Sequence, residues 1–229
     1  MERSIIQLWF ADLSKGDYTM CWTLLSPHEK RRAQSFKVVK IRQRFVIARA
    51  ILKQLLADYM AVNSAAAIEL LQGPFGKPYV VHGSDRQDVA FNLSHTGDHL
   101  VIALGCQRQI GVDIEVCRER INLNALAEKC FAATELYSWQ QLDADDQKAM
   151  FYRIWTRKES FVKAVGRGIS LGLKNCEMSL QEPIKILAVP NDCGQTTDWR
   201  VTDLNVPFGL SAALTVDGPE YKLAYRYWA

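Results

Sequence analysis

The chain has 229 residues, 48% of them hydrophobic, with 28 basic and 25 acidic residues and a formal net charge of +3. This composition predicts a globular protein of one large or two small domains, and so mild a charge does not indicate a nucleic-acid partner. No apolar run approaches the roughly 18 residues of a membrane span. The six scattered cysteines form no C-x-x-C pair, which predicts reduced thiols in a cytoplasmic protein rather than a zinc site or a disulfide framework.

The N-terminal part of the sequence predicts a strand followed by two helices. Residues 5–10 form a short apolar run broken by a glutamine, typical of a strand rather than of a signal peptide. Ser26 and Pro27 are typical of a helix N-cap and of the first helical position. Residues 42–60 carry apolar side chains at helical spacing, so this second helix is expected to contribute to the core.

Basic residues on these two helices have two possible roles. Lys30 and Arg32 lie on the first helix, and Arg44 and Arg49 lie near the edge of the apolar stripe of the second. Each cation either faces water as an ordinary surface residue or contacts a phosphate or an acidic protein. The residues alone leave both interpretations open.

Two turns in the middle of the chain present polar groups. Residues 73–79 are rich in glycine and proline and contain one lysine, Lys77. Residues 91–98 run from a short apolar strand into a polar turn that contains Ser94 and His95. A histidine at a strand end is usually structural, but beside a serine and a glycine turn it is also a candidate phosphate ligand.

Two acidic segments follow. Asp113 and Glu115 are two residues apart on a predicted strand, so both carboxylates project from the same face. Trp155, Glu159 and Lys163 are spaced four apart on a predicted helix that ends at glycine, so they form one stripe. A Glu–Lys pair on its own indicates a surface ion pair worth about 0.2–0.5 kcal/mol. Together, the two segments suggest a metal site.

The chain is expected to divide into two α+β subdomains, residues 1–108 and 109–229, because each half offers helices followed by strands. In the second half, Asn122 or Asn124 is a candidate cap of one helix and Thr134 of another. Further strands are predicted at residues 184–189, 199–204, 210–216 and 222–228.

A series of motifs in this sequence resembles the motif series of a known family. The series comprises G-K-P at residues 76–78, F-N-L-S-H at 91–95, G-V-D-I-E at 111–115, F-A-A-T-E at 131–135 and W-T-R-K-E-S-F-V-K at 155–163. In order and spacing it resembles the 4'-phosphopantetheinyl transferases of the long, surfactin-synthetase-activating type. This resemblance implies a monomer of two similar α+β halves, related by a pseudo-twofold axis, with the active site in the cleft between them.

The resemblance also implies a reaction. The 4'-phosphopantetheine arm of coenzyme A, the co-substrate, moves to a serine of an apo acyl or peptidyl carrier protein, and adenosine 3',5'-bisphosphate is released. The implied Mg²⁺ ligands are Asp113, Glu115 and Glu159.

Other motif residues match positions that contact coenzyme A. Lys158 and Lys163 match lysines on its phosphates, Ser94 and His95 match a phosphate-binding pair, and Lys77 matches the segment beside the adenine. Glu135 matches a further acidic residue of the site and is an alternative candidate for the base of the reaction. At the N-terminal end a family lysine that contacts the 3'-phosphate falls at Glu29, so that contact comes from Lys30, Arg32 or Arg44, or is absent. Arg49 is a further candidate for binding coenzyme A.

The chemistry of the residues agrees with this assignment. Three converging carboxylates would repel by about 4 kcal/mol per pair at 4 Å and an effective dielectric near 20, so they must share a proton or bind a cation. Oxygen-only ligands favour Mg²⁺ over zinc. Attack by the serine needs a base, for which Glu159 is the candidate, with Asp113 and Lys163 completing the catalytic set.

Functions from two other classes also fit parts of this pattern. A Mg²⁺-dependent phosphodiesterase or nuclease could use the same acidic residues, although the sequence lacks the basic and aromatic stripe typical of nucleic-acid binding. A non-catalytic module that binds carrier proteins could keep the fold, but such a module is expected to lose acidic residues or Lys163. The carrier could belong to fatty-acid, polyketide, polyunsaturated-lipid or nonribosomal-peptide synthesis.

Overall fold

The computed structural model describes residues 4–81, 89–119 and 122–229, which form a mixed α+β fold. The strands are β1 (Ile5–Asp12), β2 (Glu69–Gln72), β3 (Pro78–Val81), β4 (Val89–Thr96), β5 (His99–Cys106), β6 (Ile110–Val116), β7 (Glu177–Met178), β8 (Ile186–Ala188), β9 (Trp199–Asp203), β10 (Leu210–Asp217) and β11 (Lys222–Tyr227). The helices are α1 (Tyr18–Thr23), α2 (Pro27–Ser35), α3 (Val39–Met60), α4 (Leu123–Cys130), α5 (Ala133–Gln140) and α6 (Ala144–Val165). None of the described helices is long and apolar enough to cross a membrane.

The larger sheet has the strand order β11-β1-β5-β4, and the long helix α3 covers one face of it. Because side chains alternate along a strand, β5 divides its apolar residues between two cores. Leu100, Ile102 and Leu104 pack against α3, whereas Val101 and Ala103 point to the opposite face. This face is also buried, so the sheet is an internal layer.

The second sheet has the order β6-β10-β9 and covers that opposite face. Val112 and Ile114 of β6 and Leu214 of β10 join the shared core between the two sheets. The residues that alternate with these along β6 and β10 face α6, which lies on the outside of the second sheet. The layers therefore run helix, sheet, sheet, helix. This order reads the same from either end, as expected for two α+β halves related by a pseudo-twofold axis.

The C-terminal strand crosses between the halves. β11 pairs in parallel with β1, with Ile5 opposite Lys222 and Phe10 opposite Tyr227. The last strand of the predicted 109–229 subdomain therefore completes the sheet of the first half. Sequence patterns could not show this crossing, since strand pairing depends on which edge is free after the chain has folded.

Several local predictions are confirmed. Ser26 caps α2 together with Glu29 in a reciprocal capping box, and Pro27 is the first helical residue. Asn122, rather than Asn124, caps α4. α6 ends at Gly166, whose φ of 77° lies in the left-handed region that glycine adopts without strain.

Thr134 was wrongly predicted as a helix cap. The N-cap of α5 is Ala132, and Glu135 accepts a hydrogen bond from its backbone N–H at 2.7 Å. The Thr134 hydroxyl instead donates to the side chain of Glu177. Here a carboxylate in the first turn, not a residue before the helix, satisfies the free backbone donor.

Gly111 allows β6 and α6 to approach at backbone distance. A Cβ atom at this position would overlap the carbonyl oxygen of Ser160 and the backbone nitrogen of Ala164. Neither backbone atom can move without shifting the helix. Small polar residues also join α6 to the neighbouring strand β10, as Ser160 Oγ lies 2.7 Å from Thr215 Oγ1.

We predict that Gly111→Ala destabilises the protein by about 3 kcal/mol or more, at the upper end of the cost of overpacking a core. Denaturant unfolding followed by circular dichroism measures the loss. Gly73→Ala is the matched control, because its added Cβ would lie 3.5 Å from the nearest atom, an ordinary contact. Equal stabilities of the two variants would contradict the close approach of β6 and α6.

Candidate active site

The contact between β6 and α6 brings the two predicted acidic segments together. Asp113 lies on the face of β6 that points to α6, and Lys163 Nζ lies 2.6 Å from its Oδ1 atom. Lys163 also donates to the Val112 carbonyl at 3.3 Å. Since Glu159 lies one turn before Lys163, its carboxylate faces the same region, and the negative charge of Asp113 contributes to its raised pKa. Asp113 and Glu115 of β6 thus form one group with Glu159 and Lys163 of α6. We call this group the acidic cluster.

Strand β4 supplies a third wall of the cluster. Ser94 Oγ donates to Asp113 Oδ1 at 2.8 Å and accepts from Lys163 Nζ at 2.8 Å. Thr96 Oγ1 donates to Glu115 Oε2 at 3.1 Å. Asn92 Oδ1 accepts the Val112 backbone N–H at 3.0 Å and so fixes β4 beside β6.

Sequence reasoning missed Asn92 and Thr96. The available signal was the alternation of residues 92, 94 and 96, which places three polar side chains on one face of a strand. The apolar residues that alternate with them instead indicate a strand that contributes to the core. These two residues support the cluster by holding Glu115 and the neighbouring strand.

Both glutamates of the acidic cluster have raised pKa values. Burial, followed by the charge of Asp113, raises the pKa of Glu159 above its usual value, and the same two causes raise the pKa of Glu115. The second oxygen of Asp113, Oδ2, is buried and has no hydrogen-bond partner. A buried carboxylate oxygen without a partner is unfavourable and fits a cation.

The donor set therefore suits a hard divalent ion, since it consists of carboxylate oxygens. In the described ranges, however, no three histidine, cysteine or acidic side chains are already arranged around a common point. Binding a metal here requires at least one side chain to move. Asp113, Glu115 and Glu159 remain the predicted ligands.

His95 lies on the exposed side of the cluster. Desolvation of the ring lowers its pKa, as do the positive charges of Lys163 and Arg44. His95 is therefore near both cations. Arg44 is not free, because its Nε donates to Asp98 Oδ1 at 2.7 Å and Lys40 also pairs with Asp98 at 3.3 Å.

Arg32 and Arg49 meet at the ring of Phe45. Their guanidinium carbons lie 5.6 and 5.5 Å from its centroid. Glu29, which occupies the position of a family lysine, pairs internally with Arg49 at 3.6 Å and with Lys53 at 3.5 Å. Two arginines thus bring positive charge to this corner although the expected lysine is missing.

Lys77 belongs to the glycine-rich turn, and its side chain joins β6 to the end of α6. Its ammonium donates to the carbonyls of Ile110 at 3.0 Å and Ala164 at 2.8 Å, and burial lowers its pKa to about 8. A cavity of about 460 Å³ opens beside it, with Phe75 and Arg108 on its walls. The cavity can hold a group of the size of a nucleoside base, with Lys77 supporting its floor rather than reaching into it.

The predicted role of Lys158 as a phosphate ligand is wrong. It was expected to contact coenzyme A phosphates, but its side chain is 0% exposed and its ammonium lies 2.5 Å from Glu135 Oε2. The carbonyls of Cys130, Leu173 and Cys176 accept its remaining hydrogen bonds. Lys158 is thus part of the interior and cannot reach a bound phosphate.

Glu135 is the buried partner of Lys158 and is likewise internal. Its second oxygen, Oε1, accepts the backbone N–H of Met178 at 2.7 Å. Burial raises its pKa, against the effect of Lys158. The pair ties α5 and β7 to α6, so Glu135 is a structural residue rather than a candidate base.

Comparisons with known proteins agree with this architecture. Residues 109–226 match the family described as "4'-phosphopantetheinyl transferase superfamily", and residues 9–107 match "4'-phosphopantetheinyl transferase, N-terminal". The chain is 31% identical over 196 residues to a putative 4'-phosphopantetheinyl transferase of Synechocystis, covering 86% of this chain and 78% of the relative. The 4'-phosphopantetheinyl transferase HetI of Nostoc is also 31% identical over 196 residues, covering 85% and 79%. The Sfp enzyme of Bacillus subtilis is 28% identical over 170 residues, covering 74% and 73%.

The chain thus belongs to a class of group-transferring enzymes. The chain is a member of the 4'-phosphopantetheinyl transferase superfamily.

We predict that Lys158→Met lowers the free energy of unfolding by about 3–5 kcal/mol, because it leaves the Glu135 carboxylate buried without its partner. The double variant Lys158→Met, Glu135→Met is expected to recover much of this loss, since no buried charge remains. Urea unfolding measures both. A stable Lys158→Met protein with weakened coenzyme A binding would return Lys158 to a role at the phosphates.

Proposed function

We propose that this enzyme transfers the 4'-phosphopantetheine arm of coenzyme A to a serine of an apo acyl or peptidyl carrier protein and releases adenosine 3',5'-bisphosphate. The reaction is proposed to depend on Mg²⁺. The observation that carries the proposal is the convergence of Asp113 and Glu115 from β6 with Glu159 and Lys163 from α6. Family membership supplies the reaction class.

The metal is proposed to bind Asp113, Glu115 and Glu159. The buried, unpartnered Oδ2 atom of Asp113 and the raised pKa values of both glutamates support this assignment, because a cation would stabilise all three anions. When bound, Mg²⁺ would neutralise charge that develops on the leaving bisphosphate.

Glu159 is proposed as the proton acceptor. Attack by the carrier serine on the β-phosphorus requires loss of the hydroxyl proton, directly or through a water. Burial raises the pKa of Glu159, which makes its carboxylate a stronger proton acceptor. Lys163 is proposed to donate to the phosphate oxygens of the same substrate.

Coenzyme A is proposed to lie along the surface that joins the cavity beside Lys77 to the acidic cluster. The cavity accommodates the adenine, while Ser94 and His95 lie next to Lys163 for the phosphates. For the 3'-phosphate, Arg32 and Arg49 are proposed because both guanidinium groups meet at Phe45. Arg44 is a further candidate if it leaves Asp98.

The acceptor is proposed to be a carrier protein rather than a nucleic acid. Phosphodiester hydrolysis would need no protein acceptor, and the weak net charge of +3 gives no support to a polynucleotide substrate. A purely binding module would not need the clustered carboxylates and Lys163. We propose that the enzyme works as a monomer in the cytoplasm, where its six free thiols would stay reduced.

We predict that Glu159→Gln abolishes transfer and leaves the fold intact, because the amide can neither accept the serine proton nor bind the metal as an anion. Intact-mass analysis of several apo carrier proteins, incubated with coenzyme A, Mg²⁺ and the enzyme, measures the added phosphopantetheine. Thermal melting of the variant serves as the folding control. Near-normal turnover by a folded Glu159→Gln protein would refute this role of Glu159. Coenzyme A cleavage without any carrier would instead favour a phosphodiesterase.

Removal of divalent ions is expected to stop the reaction. With EDTA present, the same mass assay should show unmodified carrier, and excess Mg²⁺ should restore modification because the oxygen ligands bind it reversibly. Circular dichroism checks that the chelator leaves the fold unchanged. Undiminished modification in EDTA would remove the metal from the mechanism.

A further inference from the structure

The two oxygens of the Asp113 carboxylate have very different surroundings. Oδ1 accepts hydrogen bonds from Ser94 Oγ at 2.8 Å and from Lys163 Nζ at 2.6 Å. Oδ2 accepts none and is closed to solvent. A cation from solution therefore cannot reach Oδ2 until a neighbouring side chain moves.

Lys163 is the partner of Asp113 whose side chain reaches solvent, although its ammonium also donates to Ser94 Oγ and to the Val112 carbonyl. Its side chain is 27% exposed, whereas that of Asp113 is 5% exposed, so the ammonium lies between the carboxylate and the solvent. Ser94 is buried on β4 and is held in the sheet. Lys163 lies in the last turn of α6, where its long side chain can rotate outward without disturbing the helix.

The Lys163 ammonium also supplies a positive charge beside the carboxylates of the acidic cluster. Asp113 lies close enough to both glutamates for its charge to raise their pKa values, and Lys163 acts on both glutamates as a stabilising positive charge. A divalent ion placed among these carboxylates would do the same and would repel the ammonium. The two cations are therefore alternatives for the position beside Asp113.

We propose that the Lys163 ammonium is the resident counter-ion of the acidic cluster and that a divalent metal displaces it from Asp113. The released ammonium turns to the solvent side, where it meets the phosphates of coenzyme A. This inference rests on the proposed function, because it assumes that the cluster binds Mg²⁺. It makes Lys163 a competitor of the metal in the free enzyme and a phosphate ligand only after the exchange.

Metal affinity in the absence of coenzyme A tests the competition. Calorimetric titration of Mg²⁺ into the full chain is expected to show about tenfold tighter binding to Lys163→Met than to the wild type, because the competing cation is gone. Arg118→Met is the matched control. Arg118 is an exposed cation that acts on Glu115 from a distance, and its removal changes the net charge equally. A similar gain in both variants would show a general charge effect and overturn the exchange.

Chemical labelling of the wild type tests the displacement without any variant. Acylation of lysines followed by peptide mass spectrometry reports how accessible each ammonium is. Lys163 is expected to be weakly labelled in the metal-free enzyme and several-fold more strongly labelled in saturating Mg²⁺. Asp113→Asn is expected to give strong labelling without metal, since the ion pair is lost.

The outcomes separate this inference from the proposed function. If calorimetry shows that Mg²⁺ binds the wild type while the labelling of Lys163 stays constant, the exchange is overturned and the metal site stands. If neither the wild type nor Lys163→Met binds Mg²⁺, the metal site itself is refuted, and the exchange with it.

Discussion

The site depends on the backbone contact between β6 and α6. Gly111 has no side chain, so the strand lies directly against the carbonyl of Ser160 and the amide of Ala164. At this separation, Lys163 of the helix pairs directly with Asp113 of the strand, and the charge of Asp113 acts on Glu159. A larger residue at position 111 would move the two walls apart, and the acidic groups would then be separate surface charges. The acidic cluster is thus a consequence of tight packing rather than of a flexible loop.

Buried cations hold the surroundings of α6 in place. Lys158 pairs with Glu135 and ties α5 and β7 to the helix, while Lys77 joins β6 to the end of α6 through backbone carbonyls. Arg157 pairs with Asp203 of β9 at 2.7 Å. Breaking a buried pair of this kind leaves a charge without its partner, which makes the geometry costly to change. Glu159 and Lys163 therefore lie on a helix, α6, that is held rigidly in place.

The W-x-x-K-E-x-x-x-K motif accordingly has two functions on two sides of one helix. Successive residues of an α-helix are about 100° apart, so Lys158 points well away from Lys163, whereas Glu159 and Lys163 differ by about 40°. The side of Lys158 faces α5 and is sealed. The side of Glu159 and Lys163 faces β6 and reaches solvent at its edge.

The sequence by itself determined the local features: the capping of α2, the end of α6 at Gly166, the shared face of Asp113 and Glu115, and the stripe of Glu159 and Lys163. Only the tertiary structure decided that Lys158 is internal, that Asn92 and Thr96 support the cluster, and that β11 joins the first sheet. The physical reason is that helical and strand periods fix the direction of a side chain relative to its own element. Which other element covers that direction depends on the packing of distant segments, and this packing separates a buried ion pair from a group that can bind substrate.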